Sequence, residues 1–309
     1  MGQCFALRLL FSMRQKEFDR MHQNHALTRF WQTPTLRNIR RLGSPRIWYR
    51  QHTAARRDLP SFIIAGAQKA GTTSLYAYLS CHPQCAASLT KEVHYFDESY
   101  QRGENWYRMH FPPVAESLQS TRQSFESSPY YMFDPRVPER VRETLPNVKL
   151  IFLLRNPVSR AYSHYQHSVR RGREPLSFID ALEQESRRLA GEHERLLAEP
   201  TYHSTAHRHY SYASRGLYAD QLSVWFSHFP REQVLVVQAE RMFRQPDVVF
   251  AEVGAWLGLE SWIPSTFKNQ NKGRYVDPMT DAARDRLTRY YDEPNERLFD
   301  LLGVRYDWR

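Results

Sequence analysis

The sequence predicts an α/β protein built on a P-loop-like parallel sheet covered by helices on both faces. Two stretches carry that reading. Phe62 to Leu79, "FIIAGAQKAGTTSLYAYL", passes from an apolar strand through a glycine-flanked turn into a helical pattern with Leu75, Tyr78 and Leu79 on one face. "VKLIFLL", 148–154, is a second apolar run, interrupted only by Lys149, with helical patterns on either side. Apolar strands alternating with helices form parallel sheets buried on both faces.

The elements follow in order. Strand 62–66, loop 67–71 and helix 72–80 come first, then a short strand near 85–88 and a helical stretch at 104–109. "SFES", 124–127, reads as a strand and 136–144 as a helix; the strand 148–154 is followed by helices at 157–171 and 177–198. A helix at 217–228 carries a core stripe of Leu217, Leu222, Trp225 and Phe226. Strand 233–237, helix 246–257 and a last helix at 280–302 complete the order. The body, 59–309, starts near Leu59-Pro60 and is preceded by an arm, 1–58.

That arm holds most of the charge. Of the net +10, residues 1–60 contribute twelve Lys and Arg against three acids, a surplus of nine. The arm is expected to be a partly disordered extension suited to a polyanion or an anionic membrane surface, and the near-neutral body is not expected to bind nucleic acid. Cys4, Cys81 and Cys85 make no disulfide framework and read as buried free thiols in a reducing compartment. No apolar run reaches the roughly 18 residues of a membrane span. With no signal peptide or transmembrane segment seen, the expected location is cytoplasmic or soluble.

Gly66 and Gly71 have the spacing of a phosphate-binding loop, but Thr72 stands where its lysine belongs and Lys69 comes three residues earlier. The loop still makes an anion cradle. Glycines let the backbone approach, Lys69 adds charge, Thr72, Thr73 and Ser74 add hydroxyls, and the helix N-terminus offers N–H groups. A metal-assisted phosphoryl transferase of this type often has an acid at the end of a second buried strand. Here "KLIFLLRNP" ends in Arg155, whose guanidinium binds an anion instead. Arg160, Ser163 and His164 lie near one another on the next helix. Two separate anion sites, at 66–74 and 155–163, fit a nucleoside with phosphates at both ends better than ATP.

Together the two segments resemble sulfotransferases that use 3′-phosphoadenosine 5′-phosphosulfate (PAPS) and release 3′-phosphoadenosine 5′-phosphate (PAP). The resemblance implies that Lys69, Ala70, Gly71, Thr72, Thr73 and Ser74 hold the phosphosulfate and that Arg155 and Ser163 hold the 3′-phosphate. "NKGRYVDP", 271–278, resembles the late loop that closes over the cofactor, with Lys272, Gly273 and Arg274 at the matching positions. "KEVHYFD", 91–97, resembles the segment that carries the catalytic glutamate of heparan-sulfate-type sulfotransferases. Segments 217–237 and 291–303 resemble the same group, and the likeness spans about 60–309. Ser127 departs from the pattern, since several relatives have a lysine there.

On that basis Glu92 is the expected base for the acceptor and His94 its competitor, two residues along an extended segment and on the same face. Asp97 is expected to orient a neighbour or bind substrate. Lys69 would ease departure of the 5′-phosphate. "YHSTAHRHYSY", 202–212, suggests a zinc site at His203, His207 and His209, but no cysteine or acid partner stands at matching spacing. The preferred reading is a substrate-lining loop with Tyr210, Tyr212 and Arg215, and no metal. The acceptor implied is a carbohydrate hydroxyl or amine. Two rivals remain at this point: a P-loop nucleotide or small-molecule kinase, and a non-catalytic polyanion-binding protein.

Overall fold

The computed structural model describes residues 45–116, 122–267 and 278–308. They divide into two units, one through Thr53 and one from Ala54. In the first, helix α1 (Pro45–His52) buries none of its residues and leaves Trp48 and Tyr49 exposed. The rest of the basic arm, 1–44, lies outside the described residues.

The second unit is organised on five strands, β1 (Phe62–Gly66), β2 (Cys85–Ala87), β3 (Gln123–Ser127), β4 (Lys149–Leu154) and β5 (Val234–Gln238). Their spatial order is β2-β3-β1-β4-β5, and every neighbouring pair is parallel. All of β1 is buried, and β4 is buried beyond its first residue. Such strands, apolar on both sides, require cover on both faces. Phe62 aligns with Phe125 on one side and Lys149 on the other, and the Phe62 and Phe125 rings stack 4.8 Å apart.

The helices are α2 (Thr72–Ser80), α3 (Glu104–Arg108), α4 (Val137–Thr144), α5 (Pro157–Arg170), α6 (Phe178–Leu189), α7 (Glu192–Ala198), α8 (Thr205–His209), α9 (Tyr218–His228), α10 (Ala239–Arg244), α11 (Pro246–Leu257) and α12 (Asp281–Leu302). One core surrounds the sheet, and Leu222 and Trp225 of α9 are fully buried in it. A second, smaller core joins α5, α6 and α12 through Tyr162, Phe178, Leu287 and Tyr291.

Several expectations change. The long helix expected at 177–198 is two helices, α6 and α7, parted at Gly191, whose φ of 75° no ordinary helical residue adopts. The segment after Lys91 is not extended: Glu92 and His94 take φ values of 60° and 54°, and a wide helical turn spans Tyr95–Ser99. Cys81 ends α2 and is exposed, so only Cys85 of this pair is a buried thiol. Residues 54–58 are packed into the second unit. Arg57 is buried and donates to the Phe111 carbonyl at 3.0 Å, and Arg108 donates to the Arg57 carbonyl at 2.7 Å.

The chain leaves β1, β3 and β4 at Gly66, Ser127 and Leu154, all on the carboxyl edge of the sheet. In open parallel sheets that edge is where ligands bind.

Candidate active site

The loop after β1 is held on several sides. A Cβ on Gly66 would lie 2.4 Å from Cβ of Met132, so only glycine fits. Gly71 starts α2 in the left-handed region at φ 96°, with no side-chain cap. The amides of Thr72 and Thr73 therefore stand at an uncapped helix start, the arrangement that attracts anions. Thr72 and Ser74 are buried, and Arg155 donates to the Lys69 carbonyl at 3.2 Å. Burial, with Arg170 and Arg155 nearby, lowers the Lys69 ammonium to about 8.

Pro157 at the first turn and the Asn156 side chain, which accepts from the Ser159 amide at 3.1 Å, begin α5 directly after β4. Arg155 is half-buried beside the loop, while Arg160, Ser163 and His164 are buried. Arg160 donates to the Tyr212 carbonyl through one Nη, but its Nε and other Nη have no hydrogen-bond partner. A fully buried guanidinium with unmet donors is what an anionic ligand would complete.

Across the cleft stands the Glu92 segment, tied to the sheet where the Glu92 amide donates to the Ser127 carbonyl at 3.0 Å. His94 Nδ1 donates to Asp97 Oδ2 at 2.8 Å, and its Nε2 lies 3.4 Å from Glu92 Oε2. Burial and Arg208 act against the imidazolium, but the hydrogen bonds to Asp97 and Glu92 outweigh them and raise it to about 10. Partial desolvation of Glu92 is likewise outweighed by hydrogen bonds from His94 and Lys91, and its carboxyl is held down at about 2. Glu92 is thus ionised, and its side chain keeps 45% exposure towards the cleft. Among the described residues, the non-glycine positions with positive φ are Lys69, Glu92 and His94. Left-handed backbone at ordinary residues costs energy and concentrates where function demands it.

The cleft between these walls measures about 200 Å³. Besides Glu92, His94, His164 and His209 it is lined by residues that the sequence did not single out, notably Gln68, His167, Arg171, Arg173 and Arg208. His164, His167, Ser168 and Arg171 follow i, i+3, i+4, i+7 spacing along and just past α5, so that face was readable from the pattern. Arg208 comes from the short helix α8 and had no such signal.

Other expected positions play different parts. Tyr212 is fully buried in the second core and donates to Glu174 Oε2 at 2.9 Å, so it does not line the cleft. Tyr210 donates to the Arg173 carbonyl at 3.1 Å under the Arg188 guanidinium. Arg215 is 1% exposed and bonds inward, which corrects its reading as a substrate contact. Asp97 is buried and orients His94. His207 is taken up by the Tyr130 hydroxyl at 2.7 Å and stacks on Phe133. Lys272, Gly273 and Arg274 lie outside the described residues.

An arginine rather than an acid follows β4, and a carboxylate already ionised faces the cradle. That pairing suits an α/β group-transfer enzyme with an anionic ligand. A family model described as "Sulfotransferase domain" matches residues 59–292, and the chain belongs to that family. It is 28% identical to the membrane-associated sulfotransferase kil1 of Dictyostelium discoideum, over 81% of this chain and 67% of that protein. It is 28% identical to human heparan sulfate glucosamine 3-O-sulfotransferase 6, over 82% of this chain and 75% of that one. Human bifunctional heparan sulfate N-deacetylase/N-sulfotransferase 3 is 30% identical over 83% of this chain, which spans 31% of that longer protein. Among solved structures, a sulfotransferase from Alicyclobacillus acidocaldarius superposes with a TM-score of 0.63 at 30% identity, covering 82% of this chain and 99% of that one. The protein is a sulfotransferase, and neither the kinase nor the non-catalytic rival finds support in these likenesses.

Proposed function

We propose that the enzyme moves a sulfuryl group from PAPS to a hydroxyl or amine of an anionic carbohydrate, with 59–309 as the catalytic domain. The observation that carries this reading is the ionised Glu92, held by the His94 imidazolium and facing the cleft opposite the Lys69 loop.

Bound PAPS supplies an activated sulfuryl group between its 5′-phosphate and the acceptor. Gly71, Thr72, Thr73 and Ser74 grip the phosphosulfate end, helped by Lys69 and the backbone of Ala70. Arg155 and Ser163 take the 3′-phosphate, and the unmet donors of buried Arg160 fit an anion in the same region. Glu92 accepts the proton of the acceptor O–H or N–H as the acceptor bonds to sulfur. The bond between sulfur and the bridging oxygen breaks, and Lys69 stabilises the negative charge that this oxygen keeps. His94 serves as the positioning partner of Glu92 and not as the base, because it already carries its proton at neutral pH.

Arg171, Arg173 and Arg208 give the acceptor wall a positive face. Such a wall favours a polyanionic glycan. Relatives named for heparan sulfate include a 3-O-sulfotransferase and an N-sulfotransferase, which supports both hydroxyl and amine acceptors. The basic arm, read from the sequence as 1–58 and narrowed here to the residues ahead of Ala54, is proposed as a contact for an anionic surface; one relative is named membrane-associated. Among the described residues no helix is long and apolar enough to cross a membrane.

The test is transfer of labelled sulfate from PAPS to heparosan, N-desulfated heparan sulfate, a neutral polysaccharide and p-nitrophenol. Transfer to the first two is expected. Sulfation of the phenol alone overturns the carbohydrate reading, and sulfation of the neutral polysaccharide alone overturns the anionic acceptor.

A further inference from the structure

Arg215 is a fully buried cation whose contacts join two walls of the cleft. It sits on the tight turn Ser214–Gly216, where a Cβ on Gly216 would lie 2.5 Å from the Tyr291 hydroxyl. One Nη donates to Oε1 of Gln68, the residue immediately before Lys69 in the cofactor loop. The other donates to the carbonyls of His207 and Arg208 at 2.9 Å each, and to Ser211 Oγ at 2.8 Å. The guanidinium also lies 5.0 Å over the Tyr130 ring and 4.8 Å over Phe133. Its contacts are with neutral groups. A buried charge is costly unless its geometry serves several partners at once.

The contacts continue to the other wall. The last turn of α8, held by Arg215 through two carbonyls, carries the Arg208 side chain. Arg208 Nη1 lies 3.4 Å from Asp97 Oδ2 and bonds to Glu98, and its Nη2 lies 3.2 Å from His94. A continuous polar path therefore runs from Gln68 through Arg215 and Arg208 to the His94–Asp97 pair beside Glu92. Planar guanidinium geometry is what lets one residue bridge a side-chain amide and two carbonyls, and lysine cannot reproduce it.

We propose that Arg215 is a positioning residue that locks the Gln68–Lys69 loop and the Glu92–His94–Asp97 cluster into one geometry, so that PAP bound on one side is sensed on the other. The inference rests on the PAPS reading of the loop. Its test uses two readouts on the whole chain, wild type and Arg215→Lys. The first is the His94 imidazole resonance without ligand, assigned by its loss in His94→Gln. The second is the change of that resonance when PAP is added, beside the PAP Kd from calorimetry.

Arg215→Lys is expected to shift the unliganded His94 signal although the two residues do not touch. It is also expected to bind PAP within about threefold of wild type while losing more than half of the PAP-induced change. Gln68→Ala should lose that change too, and the double variant should lose no more than Arg215→Lys alone, as coupled positions do. An unshifted His94 signal in Arg215→Lys, or a full PAP response in it, overturns the inference. If wild type fails to bind PAP, the cofactor reading falls, and the unliganded signal alone decides the role of Arg215.

Discussion

His94 donates a 2.8 Å hydrogen bond from Nδ1 to Oδ2 of the buried Asp97, and this contact decides what the ring can do. It fixes which nitrogen faces Glu92 and raises the imidazole to about 10, against burial. Asp97→Asn removes the charge and keeps the shape. The His94 proton should then leave at lower pH, and kcat near neutrality should fall by about tenfold, with PAP affinity unchanged. Titration of the His94 resonance checks the first effect. An unchanged His94 titration in Asp97→Asn would show that the carboxylate does not hold the ring.

Glu92→Gln should lower kcat by about 10²- to 10⁴-fold, the usual worth of a positioned base. PAP binding should persist, because the phosphate grip is built from the loop after β1 and from α5. Calorimetry beside single-turnover sulfate transfer separates the two. Retained transfer would remove Glu92 from the proton path.

The pH profile follows from three groups. Glu92 is held at about 2 and His94 at about 10, so neither titrates between about pH 5 and 7.5. Lys69 is lowered to about 8, so its positive charge is lost as pH rises through that value. The expected kcat/KM for PAPS is flat to about pH 7.5 and falls above about 8. Lys69→Arg should carry that alkaline limb out of range, since a guanidinium stays charged. Lys69→Ala should cost on the order of 10²–10³ in rate across the plateau. A limb near pH 6.5 instead would make His94 the base.

The sheet and the cofactor side were readable because local pattern decides them. β1, its loop and α2 fall where an apolar run, two glycines and a helical face put them, and α5 begins at Pro157 as expected. The acceptor side was less readable. Glu92 and His94 do meet, but through two left-handed residues instead of an extended strand, with the Glu92 amide tied to the Ser127 carbonyl at the end of β3 and the His94 amide to Ser128 Oγ just beyond it. Two-residue spacing thus gave the right neighbours for the wrong reason. In segment 202–215 the pattern of aromatic and basic residues could not say which side chains turn inward, and Tyr212 and Arg215 do. α8 is five residues long, too short to show a period. It is held by Tyr130 and Phe133, more than seventy residues earlier in the chain, and by Arg215 just beyond it.

Tyr212 tests that last distinction. As a substrate contact, Tyr212→Phe would raise the acceptor KM with little effect on folding. As a core residue, it donates to Glu174 Oε2 at 2.9 Å beside the Arg188–Glu174 ion pair. Deleting the hydroxyl leaves a buried carboxylate one donor short, which costs about 1–3 kcal/mol. Arg188 still donates to the same carboxylate, so the loss should sit at the lower end. The expected result is a lower urea midpoint with kcat and acceptor KM per PAP-binding site unchanged. A raised acceptor KM at unaltered stability would return Tyr212 to the cleft.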